Sequence, residues 1–287
     1  MEFKGWVIYK PCEKSVVTAY DWMVQEGKNN NLDIKIMFLD KFVFKIHNGK
    51  VDIIYEEKIM DIPSFVLFRC YDDNLFSIFT ALNIRCFNMP EGMKLCQNKW
   101  KTHLELSRNN IPTPKTLLSF KDHQYEDIKK ELGYRFIAKG VIGSGGKEVY
   151  LVQDEESFMN AKEGLVDNQV IFQEFIEKSY GKDIRAYVVG GEVKAAVVRK
   201  SYGDFRSNFS LGGEAEEFKA IEEINELSVR ASKSLGLEIA GVDILFGNNE
   251  YVVCEVNGNA GFRTIWQYTD VSIPKHIMEY IYSEMSK

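Results

Sequence analysis

Apolar residues along this chain fall into short runs that alternate with amphipathic stretches, and that alternation lays out its elements. Over residues 1–90 it predicts strands at Trp6–Tyr9, Ile34–Leu39, Phe65–Arg69 and Ile84–Phe87, with helices at Val16–Glu26 and Asn74–Leu82. Strands separated by helices favour a largely parallel sheet with helices on its faces. FVFKI-HNGK-VDIIY reads as a hairpin turning at Asn48-Gly49. Residues 91–110 carry a helical pattern that Pro112 and Pro114 stop. Further helices are predicted at Tyr125–Leu132, closed by Gly133, at Asp154–Glu163, at Phe218–Leu235, closed by Gly236, and at Ile273–Met285, starting near Pro274. Between them lie RFIAKGVIGSGGKEVYLV (strand, glycine loop, strand), the strand VIFQEFIE, and a hairpin, DIRAYVV-GG-EVKAAVVRK, with Gly190-Gly191 at its tip. By alternation Asp183, Arg185 and Tyr187 share one face of that hairpin.

The stretch 239–261, IAGVDILFGNNEYVVCEVNGNAG, is the most informative. It reads as strands VDILF and YVVCEVN joined by a polar turn. Pairing Gly247 with Tyr251 sets Asp243 opposite Glu255, with Asn257 on the same face. Opposed carboxylates with Cβ atoms about 5 Å apart repel, and burying them unpaired costs several kcal/mol, so a positive group must sit between them. Two carboxylates and an amide oxygen suit Mg²⁺ carrying substrate phosphates; arginine or lysine side chains neutralising a structural pair would also satisfy the charges.

Composition narrows the setting. Hydrophobic residues make up 45% and charged residues 27% of the 287, and the formal charge of −6 gives no basic field for nucleic acid. No apolar run approaches the roughly 20 residues that cross a bilayer, and MEFKGWVIYKPCEKS has neither an extended apolar core nor a cleavage site of small residues. Five scattered cysteines without CxxC spacing argue against a disulfide framework or a zinc site, so a reduced cytoplasm is the expected location. Lys10-Pro11-Cys12 follows the first strand, where a dinucleotide fold would place a glycine fingerprint. The loop GSGG lacks the ending of a Walker P-loop, yet its glycines let backbone approach a ligand, as a flap over phosphates requires; a plain hairpin turn is the alternative. Lys139 interrupts an apolar strand just before the loop, where a buried amine needs an anionic partner. The four histidines, at 47, 103, 123 and 276, fall outside every motif.

Taken in order, Lys99, Lys139, the glycine loop, QEF, DIR, GDFRSN, GVDIL and EVNGNAG resemble the ATP-grasp superfamily, and within it the RimK-type glutamate ligases, over most of residues 85–265. The resemblance implies an α/β chain of α+β grasp type. An open, mostly parallel sheet domain over 1–90 would precede a central lobe with the flap over 91–172 and a C-terminal lobe with the magnesium and substrate site over 173–287. It implies ATP with Mg²⁺, or Mn²⁺, as cofactors. Lys99 and Lys139 would contact phosphates beside the flap of Gly143, Ser144, Gly145 and Gly146. Glu174, Phe175 and Ile176 would line the adenine edge, with Asp183 nearer the ribose and phosphates. Asp243, Glu255 and Asn257 would bind magnesium. Arg185, Arg206 and Asn208 would stand near the phosphates or the acceptor carboxylate as catalytic groups. Arg199 and Lys200 would hold the carboxylate of the incoming amino acid, with Gly261 and Arg263 beside the acceptor. Two positions depart from the family pattern: Asn98 replaces the usual acidic residue before the first lysine, and NGNAG replaces the frequent NASPG.

The implied chemistry is carboxylate–amine ligation. ATP phosphorylates an acceptor carboxylate on a small molecule, peptide or protein tail, and the amine of glutamate or another amino acid displaces phosphate. Cationic groups would offset charge on the transferring phosphoryl, and no protein nucleophile is needed. The alternatives are a peptide macrocyclase of the same fold and a nucleotide-binding regulatory protein with little catalysis. A homo-oligomer, dimer or tetramer, is expected, with no nucleic-acid or membrane partner.

Overall fold

A parallel sheet organises the N-terminal part of the chain. In the computed structural model the order is β1 (Phe3–Tyr9), α1 (Val17–Asn29), β2 (Leu32–Phe38), β3 (Phe42–His47), β4 (Lys50–Tyr55), β5 (Lys58–Ile59), β6 (Phe65–Arg69), α2 (Asp73–Ala81), β7 (Arg85–Phe87) and α3 (Pro90–Gln97). The structure describes residues 2–11, 17–143, 148–207, 213–219 and 221–287. The sheet order is β2-β1-β6-β7, every pair parallel. Its inner strands, GWVIY and FVLFR, are apolar without alternation because both faces are buried. The Asn48-Gly49 hairpin forms as the pattern predicts, both turn residues having positive φ, and with β5 it makes a separate three-stranded antiparallel sheet. Ile53 and Tyr55 of that hairpin pack into the same core as Trp6, Phe68, Phe76 and Phe79.

Next come α4 (Lys99–Arg108), β8 (Thr116–Phe120), α5 (Tyr125–Leu132), β9 (Phe136–Gly140), β10 (Val149–Val152), α6 (Glu155–Gly164), β11 (Gln169–Glu174), β12 (Lys182–Val189), β13 (Glu192–Lys200), β14 (Glu214–Glu217), α7 (Glu222–Ser234), β15 (Ile239–Phe246), β16 (Tyr251–Asn257), α8 (Arg263–Thr269) and α9 (Ile273–Met285). They build two antiparallel sheets, β10-β9-β11-β8 and β14-β13-β12-β15-β16. Aromatic rings from α5, α6, β9 and β11 form the core of the first, with Phe136 and Phe172 edge-to-face at 5.8 Å. Against the second lies α7, burying Ile224, Leu227 and Ala231. The mixed α/β architecture agrees with the sequence reading.

Two features differ from the pattern-based expectation. The single helix expected over 91–110 is broken at Asn98, whose backbone is extended and bridges Ile142 while its side chain caps Lys101 N at 3.0 Å. Chain order placed Ile273–Met285 with the last lobe, but the compact units are 1–94 with 272–287, and Leu95–Val271. The reason is apolar: Ile273, Ile277, Met278 and Ile281 are buried, and the helix packs on α1. Among the described residues no helix is long and apolar enough to cross a membrane.

Candidate active site

The β15–β16 hairpin does set Asp243 opposite Glu255, but by a different route from the turn count. The turn pairs Phe246 with Tyr251, one residue away from the expected Gly247 pairing. That register alone would set Asp243 against Cys254. A bulge between Asp243 and Ile244 on one strand, with Cys254 as the extra residue on the other, restores Asp243 to Glu255 and Gly241 to Asn257. The bulge therefore places the carboxylates.

Asp243 is answered on its other side by arginine. Arg185 lies opposite it on β12 and donates Nε to Oδ1 and Nη2 to Oδ2. Arg199, on β13, donates Nε to Asp183 Oδ1 at 2.7 Å and Nη2 to Oδ2, while its Nη2 also reaches Asp243 Oδ1 at 3.1 Å. Cations and anions thus alternate across adjacent strands, all close to fully buried except Arg185. Burial works against the Asp243 charge, yet Arg185 and Arg199 outweigh it and hold that carboxyl below its ordinary value. At Asp183 burial, with the charge of Asp243 beside it, outweighs Arg199 and Ser207 and pushes the carboxyl up. Burial also opposes the Arg199 charge, but Asp243 and Asp183 raise its pKa above the ordinary arginine value. The neutralising-arginine alternative accordingly describes much of what surrounds Asp243.

Of the two lysines, Lys139 stands on a strand of the other sheet and Lys99 at the start of a helix. Lys99 opens α4; its backbone N–H donates to Val141 O at 2.9 Å and its Nζ to Gly143 O at 2.6 Å, at the neck of the glycine loop. Burial lowers its pKa, with Glu255 pulling the other way. Lys139, 5% exposed on β9, donates to Gln173 Oε1 at 2.7 Å, and no protein carboxylate pairs with it among the described residues. The anionic partner that a buried amine calls for is absent from the described protein. Gln173 is itself held: its Nε2 meets His103 Nε2 at 3.0 Å and donates to Thr116 Oγ1 at 2.8 Å. Burial, with Lys139 and Lys99 nearby, pushes His103 down to about 3, so the ring is neutral. His103 stands four residues after Lys99 on α4, on the same helical face. That spacing was the signal that could have drawn attention to it.

The other anticipated positions divide by environment. Glu174 Oε2 accepts from Lys115 N at 3.1 Å, and Phe175 and Ile176 lie half-buried in the segment after β11. Lys200 pairs with Glu216 at 2.6 Å on the surface, and Arg206 with Asp204 at 2.7 Å. Arg199, expected to receive a substrate carboxylate, is already bonded to two protein carboxylates. Gly261 is exposed with open space where a Cβ would stand, and Arg263 opens α8. Ser144, Gly145, Gly146 and Asn208 lie outside the described residues.

Can these residues hold a divalent ion? Among the described residues no group of three or more His, Cys, Asp or Glu stands ready for one. The set here is two carboxylates and an amide. Two lone pairs on Asp243 Oδ1 and one on Oδ2 are taken by guanidinium hydrogens, which leaves one on Oδ2, beside Asn257 Nδ2 at 3.5 Å. Turning that amide presents its oxygen instead, next to Glu255. Three hard oxygens fit Mg²⁺, which keeps waters and phosphate oxygens for its remaining positions.

Residues 96–281 match the model of the RimK-like ATP-grasp domain. Human N-acetylaspartylglutamate synthase A is 30% identical over 278 residues, which cover 90% of this chain and 70% of that protein. A probable alpha-L-glutamate ligase of Rhodopirellula baltica is 30% identical over 275 residues, 92% of this chain and 67% of its own. Among solved structures, the ATP-grasp ligase PsnB, complexed with minimal precursor, Mg and ADP, superposes with a TM-score of 0.72 at 18% identity, over 99% of this chain and 98% of that one, a likeness of fold.

Proposed function

This chain belongs to the RimK-like ATP-grasp family of ATP-dependent ligases, and we propose that it joins an amino acid, glutamate foremost, to a carboxylate acceptor through an acyl phosphate. The observation that carries the reading is Lys139: a buried amine that no carboxylate pairs with among the described residues, close to Lys99 and the glycine loop, is a seat for phosphate. In this reading Lys99 and Lys139 hold the phosphates of ATP. Glu255, Asn257 and the remaining lone pair of Asp243 hold Mg²⁺, which when bound offsets charge on the transferring phosphoryl. Arg185 and Arg199 act through Asp243, fixing its rotamer and limiting its charge, while Gly261 and Arg263 border the acceptor. The acceptor carboxylate attacks phosphorus with loss of ADP. The amine then attacks the acyl carbon, forming the amide and expelling phosphate.

A phosphate-release screen of amino acids against small-molecule, peptide and protein carboxylates, with mass spectrometry of the products, tests this. Substrate-dependent release with an amide product one water lighter than its parts is expected. Glu255→Ala should bring release to background while the protein stays folded. Near-normal ADP production by that variant at ordinary magnesium would sink the metal assignment.

A further inference from the structure

His103 is 4% exposed and neutral. Its Nδ1 is buried without a partner among the described residues. Its Nε2 faces the Nε2 of Gln173, an amide nitrogen that only donates, so the imidazole nitrogen must accept and the ring proton must reside on the unpartnered Nδ1. The second hydrogen of the same amide goes to Thr116 Oγ1, whose own hydroxyl donates to Pro114 O at 2.8 Å and therefore has only acceptor capacity left. Both hydrogens of Gln173 are thereby directed away from Lys139, and Oε1 is turned to Lys139 Nζ. Were the amide rotated by half a turn, an NH₂ group would face the amine and its oxygen would face Thr116 Oγ1, whose only hydrogen is given to Pro114 O. The imidazole answers either end by its choice of tautomer, so Thr116 and Lys139 set the orientation and His103 takes up the second amide hydrogen.

We propose that His103, with Thr116, is a positioning residue for the phosphate-binding lysine: Thr116 sets which end of the amide faces Lys139, and His103 holds it there by accepting the second amide hydrogen, so that the oxygen anchors Lys139 in place without neutralising it. An amide oxygen suits this task better than a carboxylate, because it orients the amine and leaves the positive charge for the ligand. The hydrogen on Nδ1 follows from the arrangement, since a neutral imidazole can accept on one nitrogen only if the other carries hydrogen. The inference rests on the nucleotide reading above.

The test is titration of a fluorescent ATP analogue with Mg²⁺, paired with a melting curve, on wild type, His103→Leu, His103→Gln, Thr116→Val and Gln173→Glu. His103→Leu should weaken nucleotide binding by about tenfold, at the low end of what losing an outer-shell partner costs a bound ion. Its melting temperature at neutral pH should change little, since a buried unpartnered ring N–H is removed while one buried amide hydrogen of Gln173 loses its acceptor. His103→Gln, which offers a carbonyl acceptor, should recover most of the affinity. Gln173→Glu, which places a carboxylate on Lys139, should bind more weakly than His103→Leu. Thr116→Val removes the other acceptor and reads the same lock should the leucine variant fail to fold. A His103→Leu protein that melts higher and binds within twofold of wild type would show that the histidine only fills space, and equal weakness in the leucine and glutamine variants would equally overturn the proposal. If wild type itself binds no analogue, the nucleotide reading falls first and this inference falls with it.

Discussion

Among the buried ionisable side chains, His103 carries a direct pH signature. Its pKa in the folded chain lies near 3, below the 6.5 of an unperturbed imidazole, so as pH falls the unfolded chain takes up the proton first. Its contribution is whole above the unfolded value and is lost progressively from there toward the folded one; between pH 7.5 and 5 the loss is about 2 kcal/mol. Urea unfolding of wild type and His103→Leu across that range should give curves that diverge by this amount, and parallel curves would mean the ring protonates in place. Arg199 offers a second residue-scale test. Removing it strands Asp183 and Asp243, and breaking a buried pair this way costs about 3–5 kcal/mol, so Arg199→Ala should melt far below wild type. Arg206→Ala, which loses a part-exposed pair with Asp204, should cost about 1 kcal/mol or less. Scanning fluorimetry on both variants separates them; an Arg199→Ala protein of wild-type stability with a raised KM for the amino acid would return that guanidinium to the substrate. The difference between these two arginines was not legible in the chain. Both sit in one cationic stretch, and only the β12–β13 pairing, Asp183 against Arg199, tells which one turns inward.

At the scale of the element, the sequence spoke clearly where a local rule decides and less clearly where two strands must agree. Tyr125–Leu132 and Ile273–Met285 have the predicted bounds, since Gly133 at φ +90 stops the first and Pro274 opens the second. The polar edge strand β14 and the seven-residue α8 carry too little apolar periodicity to be seen. Asp243 met Glu255 as predicted, yet the count that led there missed both the turn and the bulge, and the two one-residue differences cancelled. The loop after β16 illustrates a constraint that spacing does not reveal. Gly241 is needed for close approach: a Cβ there would stand 2.5 Å from that of Ala260 and 3.2 Å from Arg185 Cδ. Ala260 O in turn accepts from Tyr187 Oη at 3.1 Å. This chain thus fastens the NGNAG loop from the sheet, without the proline frequent in the family. Gly241→Ala should destabilise by about 1–3 kcal/mol through overpacking. Tyr187→Phe should cost about 1 kcal/mol. Chemical denaturation of the two variants checks both figures, and a wild-type midpoint for Gly241→Ala would mean that the loop yields freely.

Over the whole molecule, the described candidate residues all belong to the unit Leu95–Val271, while 272–287 complete the unit begun by residues 1–94. Removing 272–287 strips Ile273, Ile277, Met278 and Ile281 from the first unit, and each buried aliphatic side chain contributes about 1.5–3 kcal/mol. Calorimetry of the shortened protein should therefore show the transition of the first unit lost or lowered by many degrees, with the other transition retained; a single unchanged transition would mean that the helix is dispensable. The division also bears on how the chain is made. A ribosome releases β1 and α1 long before α9 exists, so the nascent N-terminal unit lacks its closing helix throughout synthesis of everything between. The second unit has no such wait. Residues 1–94 thus gain their full set of contacts only when 272–287 arrive, and until then the face of α1 that α9 covers stays open.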